Sequence, residues 1–153
     1  MEVKPTNELD EILERTDPEH IDRYYKENIR FLADEKKGFR YYMKTTLEEK
    51  NIKMKDVYSF AGVTESYGSK ILRMEKHTSD RDMIIRLCAA GHFTLLEMNR
   101  ALKLYGFSEL YAKNPRDACL IVAINHRIYD IYEIDRILEE HGHKKLLMKN
   151  MEF

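Results

Sequence analysis

Between Met54 and Arg73 the chain reads MKDVYSFAGVTESYGSKILR: a short amphipathic segment, a glycine, then a second short segment rich in small polar and basic residues. That is the layout of two short helices joined by a three- or four-residue turn, a unit whose helices cross at a wide angle. Gly62 is placed to take the positive φ that such a turn requires. Val57, Ala61, Val63 and Ile71 fall where the unit buries its inner faces, which leaves Thr64, Glu65, Ser66, Ser69, Lys70 and Arg73 facing outward. The second helix of such a unit projects from the body of the fold and can enter a DNA groove.

Helix signals recur along the rest of the chain, and strand signals almost never do. Leu9, Ile12 and Leu13 mark a first short helix. Asp17 before Pro18 reads as an N-cap with proline at the first helical position, opening a stripe of Ile21, Tyr24, Tyr25, Ile29 and Leu32. Phe39, Tyr42, Met43 and Leu47 form the next stripe, ending near Asn51. Ser79 begins an S-x-x-D capping pattern ahead of Met83, Ile84, Leu87 and Cys88, with Gly91 as the stop. Thr94 and Glu97 form a capping box for a helix closed by Gly106, Asn114–Pro115 open another, and Asp130 and Glu133 open the last, with Gly142 after it. The segment Cys119 to Ile124, apolar all round, is expected to be a helix and to form the central floor on which the others pack. About nine helices and an all-α class follow.

A chain of 153 residues is long enough for one well-packed domain and too short for two ordinary ones. No apolar run approaches a membrane span, and the acidic N-terminus lacks the layout of a signal peptide, so a cytoplasmic protein without a membrane partner is expected. Cys88 and Cys119 lie in apolar stripes outside any metal-ligand or CxxC spacing and read as small core residues. A net charge of −1 hides a strong asymmetry. Residues 1–35 carry 5 Lys/Arg against 11 Asp/Glu, residues 36–105 carry 14 against 8, and residues 106–153 carry 7 against 8. The basic excess coincides with the helix-turn-helix region, as expected where phosphate contacts supply most of the binding free energy.

From Phe39 to Tyr105 the order of five helices, with Gly62 turning between the second and third, resembles the lambda-repressor-like family of DNA-binding domains, also called the Cro or xenobiotic-response-element family. The Gly62-Val63 step, Ile71 on the inner face of the third helix and the stripe RDMIIRLCAA from Arg81 to Ala90 carry the resemblance. SYGSKILRMEKHTSDRD, with LYAKNPRDACLIVAI downstream, looks like a subgroup of bacterial proteins in which the domain is followed by a helical extension. Four positions depart from the family pattern. Tyr58 stands where the family usually has Ala, Met54 where a polar residue often starts the helix, Met74 where Gly commonly follows the recognition helix, and Gly68 where an aliphatic residue is usual.

The charge count and helix signals mark residues 1–35 as an acidic helical arm, and the resemblance implies a DNA-binding domain over 36–106 followed by a C-terminal extension over 107–153 packed on the core. It also implies a bacterial or phage transcription regulator that binds duplex DNA in a sequence-specific way. Glu65, Ser66, Ser69 and Lys70 would then read base edges, while Lys53, Lys55, Arg73 and Lys76 would neutralise phosphates. A homodimer is expected, because one recognition helix spans too few base pairs for specificity and two-fold operators mirror two-fold proteins. The alternative is a protein-interaction module in which the same helices present their basic surface to an acidic partner.

Other chemistry finds little footing. His141-x-His143 beside Glu139 and Glu140 lacks zinc-ligand spacing, and no phosphate-loop, nucleophile-elbow or dinucleotide motif occurs, so no metal, cofactor or catalytic residue is expected and the chain does not read as an enzyme. Arg116 and Asp117 are expected to pair or to cap a helix. Tyr24, Tyr25, Tyr42, Tyr105 and Tyr132 lie on helical stripes and are expected in the core or at its rim.

Overall fold

A computed structural model describes residues 6–28 and 35–147, and among these residues every regular element is helical. The chain divides into two compact units, residues 1–34 and 35–153. In the first, α1 (Thr6–Glu14) and α2 (Ile21–Asn28) are joined through a 3-10 turn over Pro18–His20. Proline does open that turn, but the Asp17 side chain makes no capping bond and lies instead 3.7 Å from the His20 ring. Tyr24 is buried, whereas Ile21 and Tyr25 of the same stripe are largely exposed. Ile29 and Leu32 lie outside the described residues.

The second unit holds α3 (Glu35–Glu49), α4 (Met54–Ala61), α5 (Glu65–Leu72), α6 (Arg81–Ala90), α7 (Leu95–Tyr105), α8 (Pro115–Asn125) and α9 (Ile131–Glu140). Helix α6 is its axis, with every residue from Asp82 to Ala90 buried, and it packs against α4, α7 and α9. Helix α3 lays Phe39, Met43 and Leu47 against α7 and also touches α5. The all-apolar segment Cys119–Ile124 is helical but is not the centre. It lies on a flank, where Leu120, Ala123 and Ile124 are buried and Val122 is more than half exposed. Hydropathy misranks the two helices because α6 carries Asp82 and Arg86, which are buried with polar partners.

Capping chemistry fixes most boundaries. Thr94 and Glu97 form the reciprocal capping box, Asn114 accepts from the Asp117 N–H ahead of Pro115, and Asp130 accepts from the Tyr132 N–H. The cap of α6 is Asp80 and not Ser79, because Asp80 Oδ1 is the acceptor for the Asp82 N–H while Thr78 supports the Asp80 N–H. Gly91 keeps a φ of −86°, and the left-handed residue after α6 is His92 at 57°.

The two hairpins α6–α7 and α8–α9 follow one pattern. Arg81-Asp82 opens the first and Arg116-Asp117 the second, and the pairs cross-link: Arg81 grips both oxygens of Asp117 at 3.0 Å, and Arg116 grips Asp82 at 3.0 and 2.8 Å. Each arginine also donates to two carbonyls of the loop that ends its own hairpin, Ser108 and Glu109 for Arg81, Lys144 and Lys145 for Arg116. Asn99 accepts from the Leu110 N–H in the first hairpin, and Asp135 accepts from the Leu146 N–H at the matching place in the second. His92 and Arg127 take the same left-handed turn position, and Gly106 and Gly142 the same helix stop.

Burial tends to raise the pKa of the Asp117 carboxyl, but the bonds from Arg81 and the Tyr111 N–H and the nearby arginine charges outweigh it, holding the group below the ordinary carboxylate range. Its contribution is therefore complete above the unfolded-state value of about 3.9 and is lost as pH falls through the lower folded value. Asp117→Asn is expected to lower stability at neutral pH and to shrink the difference from wild type in acid, in urea titrations run from pH 7 to 3. An equal deficit at every pH would show that the charge is not what matters.

Candidate functional site

Over Met54–Arg73 the structure has two short helices, α4 and α5, joined by a turn through Gly62 and Val63. Gly62 closes α4 at φ 73°, and its N–H together with that of Val63 satisfies the last carbonyls of the helix. Thr64 then caps α5 by accepting from the Tyr67 N–H at 3.2 Å. Val57, Ala61, Val63 and Ile71 are all buried, as their spacing predicts.

Tyr58 and Gly68 form one feature of the structure. A Cβ built on Gly68 would lie 2.5 Å from Cδ1 of Tyr58, so the tyrosine ring of α4 occupies the space that a side chain on α5 would need. A large residue on one helix and none on the other keep the hairpin closely packed, in place of two side chains of intermediate size. Met74 holds the left-handed conformation, φ 60°, at the position where glycine commonly follows the helix.

The outward side of α5 assembles the candidate contact residues. Ser66, Ser69, Lys70 and Arg73 recur at i, i+3, i+4 and i+7 and so share one face, with Glu65 beside them at the first helical position. Glu65 and Ser66 are exposed; Ser69 and Lys70 are half-buried. Ser69 Oγ donates to the Ser66 carbonyl at 3.1 Å, and Arg73 reaches Ser69 Oγ at 3.5 Å and Glu75 at 3.4 Å. The guanidinium is thus steadied along the helix but partly neutralised. Lys76 sits over the Tyr67 ring at 5.9 Å. The segment leading from α5 to α6 is anchored where the Thr78 N–H donates to the buried Tyr105 hydroxyl at 2.7 Å.

Lys53 and Lys55 lie at the start of α4, exposed and without an ion pair among the described residues. Cations at a helix N-terminus oppose the helix dipole, an arrangement that folding alone does not favour. Such local inconsistencies concentrate where a surface serves binding.

Sequence reasoning missed a second feature. The turns of the three hairpins converge on a cleft of about 450 Å³, with Phe60 and Gly62 from the first, His92 from the second, and Tyr129, Asp130 and Tyr132 from the third. Phe60 and Tyr132 are 69% and 78% exposed, so Tyr132 belongs neither to the core nor to the rim expected for it. The His92 and Tyr129 rings stack at 4.7 Å. The signal in the sequence was the recurring turn position after α4, α6 and α8, each followed by a capping residue.

Arg86 also went unread. Its side chain is fully buried, Nε donating to the Ala61 carbonyl and Nη1 to the Leu146 carbonyl, both at 2.9 Å, so one guanidinium ties the end of α4 to the segment after α9. The expectation for Arg116 and Asp117 holds in altered form, since each pairs across to α6 and not with the other. His141 bonds its own helix through Nδ1, to the Ile137 carbonyl. No helix among the described residues is long and apolar enough to cross a membrane. No protein-family model matches the chain, and no curated protein or solved structure matches it.

Proposed function

We propose that the chain is a sequence-specific DNA-binding regulator that docks α5 in the major groove of duplex DNA, with Glu65, Ser66, Ser69 and Lys70 toward base edges and Lys53, Lys55, Arg73 and Lys76 toward phosphates. One observation carries this reading: Ser66, Ser69, Lys70 and Arg73 form a single polar ridge on the side of α5 opposite Gly68, Ile71 and Leu72, behind a turn held by a left-handed Gly62. A ridge of short polar side chains ending in basic ones suits the groove, because serine addresses several bases, lysine donates to guanine and flanking cations fix the register. Lys53 and Lys55, without an ion pair among the described residues, give a second cluster of positive charge on the same hairpin. A homodimer extends the reading, since a single helix contacts too few base pairs for specificity.

The competing reading, a protein-interaction module, draws on the Arg73–Glu75 pair, which lowers the positive charge available to phosphate. Salt dependence separates the two. Fluorescence anisotropy with random-sequence duplex DNA is expected to show binding that weakens by about 10³-fold or more between 50 and 200 mM salt, given some six phosphate contacts from a dimer. Absence of binding at the lowest salt by the folded protein would move the assignment to the interaction module.

A further inference from the structure

The walls of the cleft at the three hairpin turns specify a ligand chemistry. Four of its side chains, Phe60, His92, Tyr129 and Tyr132, are aromatic, and none of the described residues that line it is lysine or arginine. Its carboxylate is Asp130, which uses Oδ1 to accept from the Tyr132 N–H and forms no ion pair among the described residues. That bond holds the exposed carboxylate at the start of α9 and occupies the helix end where an anion would otherwise be welcome. The stacked His92–Tyr129 pair gives one wall a fixed orientation. Aromatic faces around a carboxylate select a cation with a delocalised or weakly hydrated charge, drawn both by the ring quadrupoles and by the acid. A volume of about 450 Å³ accepts such a head group together with a short apolar stem.

We propose that this cleft binds an organic cation, an alkylguanidinium or alkylammonium group, held between the aromatic walls with its charge against Asp130. The same chemistry is offered by an arginine or lysine side chain of a peptide and by a free amine or guanidine. Because Phe60 and Gly62 belong to the α4–α5 hairpin, an occupant would touch the turn from which α5 projects, but binding in the cleft does not depend on that helix contacting DNA.

The test is an amide NMR titration of the full chain with butylguanidinium, with the capped peptide Gly-Arg-Gly, and with pentanoate, which has a similar stem and the opposite charge. Saturable shifts at Gly62, His92 and Asp130–Tyr132 are expected with the two cations and not with pentanoate. The tighter of the two cations identifies the source, peptide or free small molecule. Asp130→Asn keeps an oxygen to cap α9 and removes the charge, so it is expected to weaken cation binding by about tenfold while the unfolding midpoint holds. Tyr132→Ala, at an exposed position, is expected to weaken it as well. Pentanoate binding as tight as butylguanidinium, shifts that persist undiminished in Asp130→Asn, or no saturable shifts with either cation would overturn the proposal.

Discussion

Replacing Arg86 by alanine is expected to destabilise the 35–147 unit by about 3–5 kcal/mol, the cost of removing a fully buried charged side chain from the groups that pair with it. The loss has three parts. The carbonyls of Ala61 and Leu146 would be left without their donors, a cavity would open beside α6, and Asp80, whose carboxylate lies 4.0 Å from the guanidinium, would lose its counter-charge. Burial lowers the pKa of the guanidinium, and Asp80, Asp82 and Asp135 oppose that shift, so the charge is held by surrounding carboxylates at the centre of an apolar helix. Arg86→Met is expected to cost clearly less than alanine, because it fills most of the volume that alanine leaves empty. Urea denaturation of both variants measures this. A deficit for alanine under about 1 kcal/mol, the range of an ordinary surface substitution, would mean that the guanidinium does not hold the end of α4.

The second large effect concerns Tyr58 and Gly68. Tyr58→Ala is expected to cost about 3–5 kcal/mol, as truncation of a buried aromatic ring does, and Gly68→Val about 1–3 kcal/mol from overpacking against that ring. Combining them should restore a conventional pairing of a small residue on α4 with an aliphatic one on α5. The double variant is therefore expected to be more stable than the sum of the single effects by about 1–3 kcal/mol, read from a thermodynamic cycle. Simple additivity would show that the ring and the missing side chain are not spatially exchanged.

That pair illustrates what the amino-acid order reveals and what it withholds. Tyr58 and Gly68 each look like a departure from a familiar pattern when taken singly, and only the contact between them makes sense of both. Helix ends were legible because capping is local: Thr94 with Glu97, Asn114 before Pro115, and Asp130 each act within a few residues of themselves. The central helix was not legible, because the burial of Asp82 and Arg86 depends on Arg116 and on carbonyls distant in sequence. The shared plan of the two later hairpins was present in the sequence as E-x-N-R-x-L at Glu97–Leu102 and E-x-D-R-x-L at Glu133–Leu138, each with a glycine four residues on. So few shared side chains are convincing only once the matching bonds to Leu110 and Leu146 are seen. The candidate docking face was legible for a simple reason: the 3.6-residue period alone places Ser66, Ser69, Lys70 and Arg73 together. Their exposure was not, since Ser69 and Lys70 sit lower against the body of the fold than an outward-facing assignment suggests.

The most direct measurement is an amide NMR titration of the full chain with a short duplex at low salt, repeated with Lys70→Glu and Arg73→Glu. Perturbations concentrated at Thr64–Lys76 and at Lys53–Lys55, with affinity falling in both variants, are the predicted result. Perturbations centred elsewhere, or an affinity that neither charge reversal changes, would contradict the assignment of α5 as the DNA-reading helix.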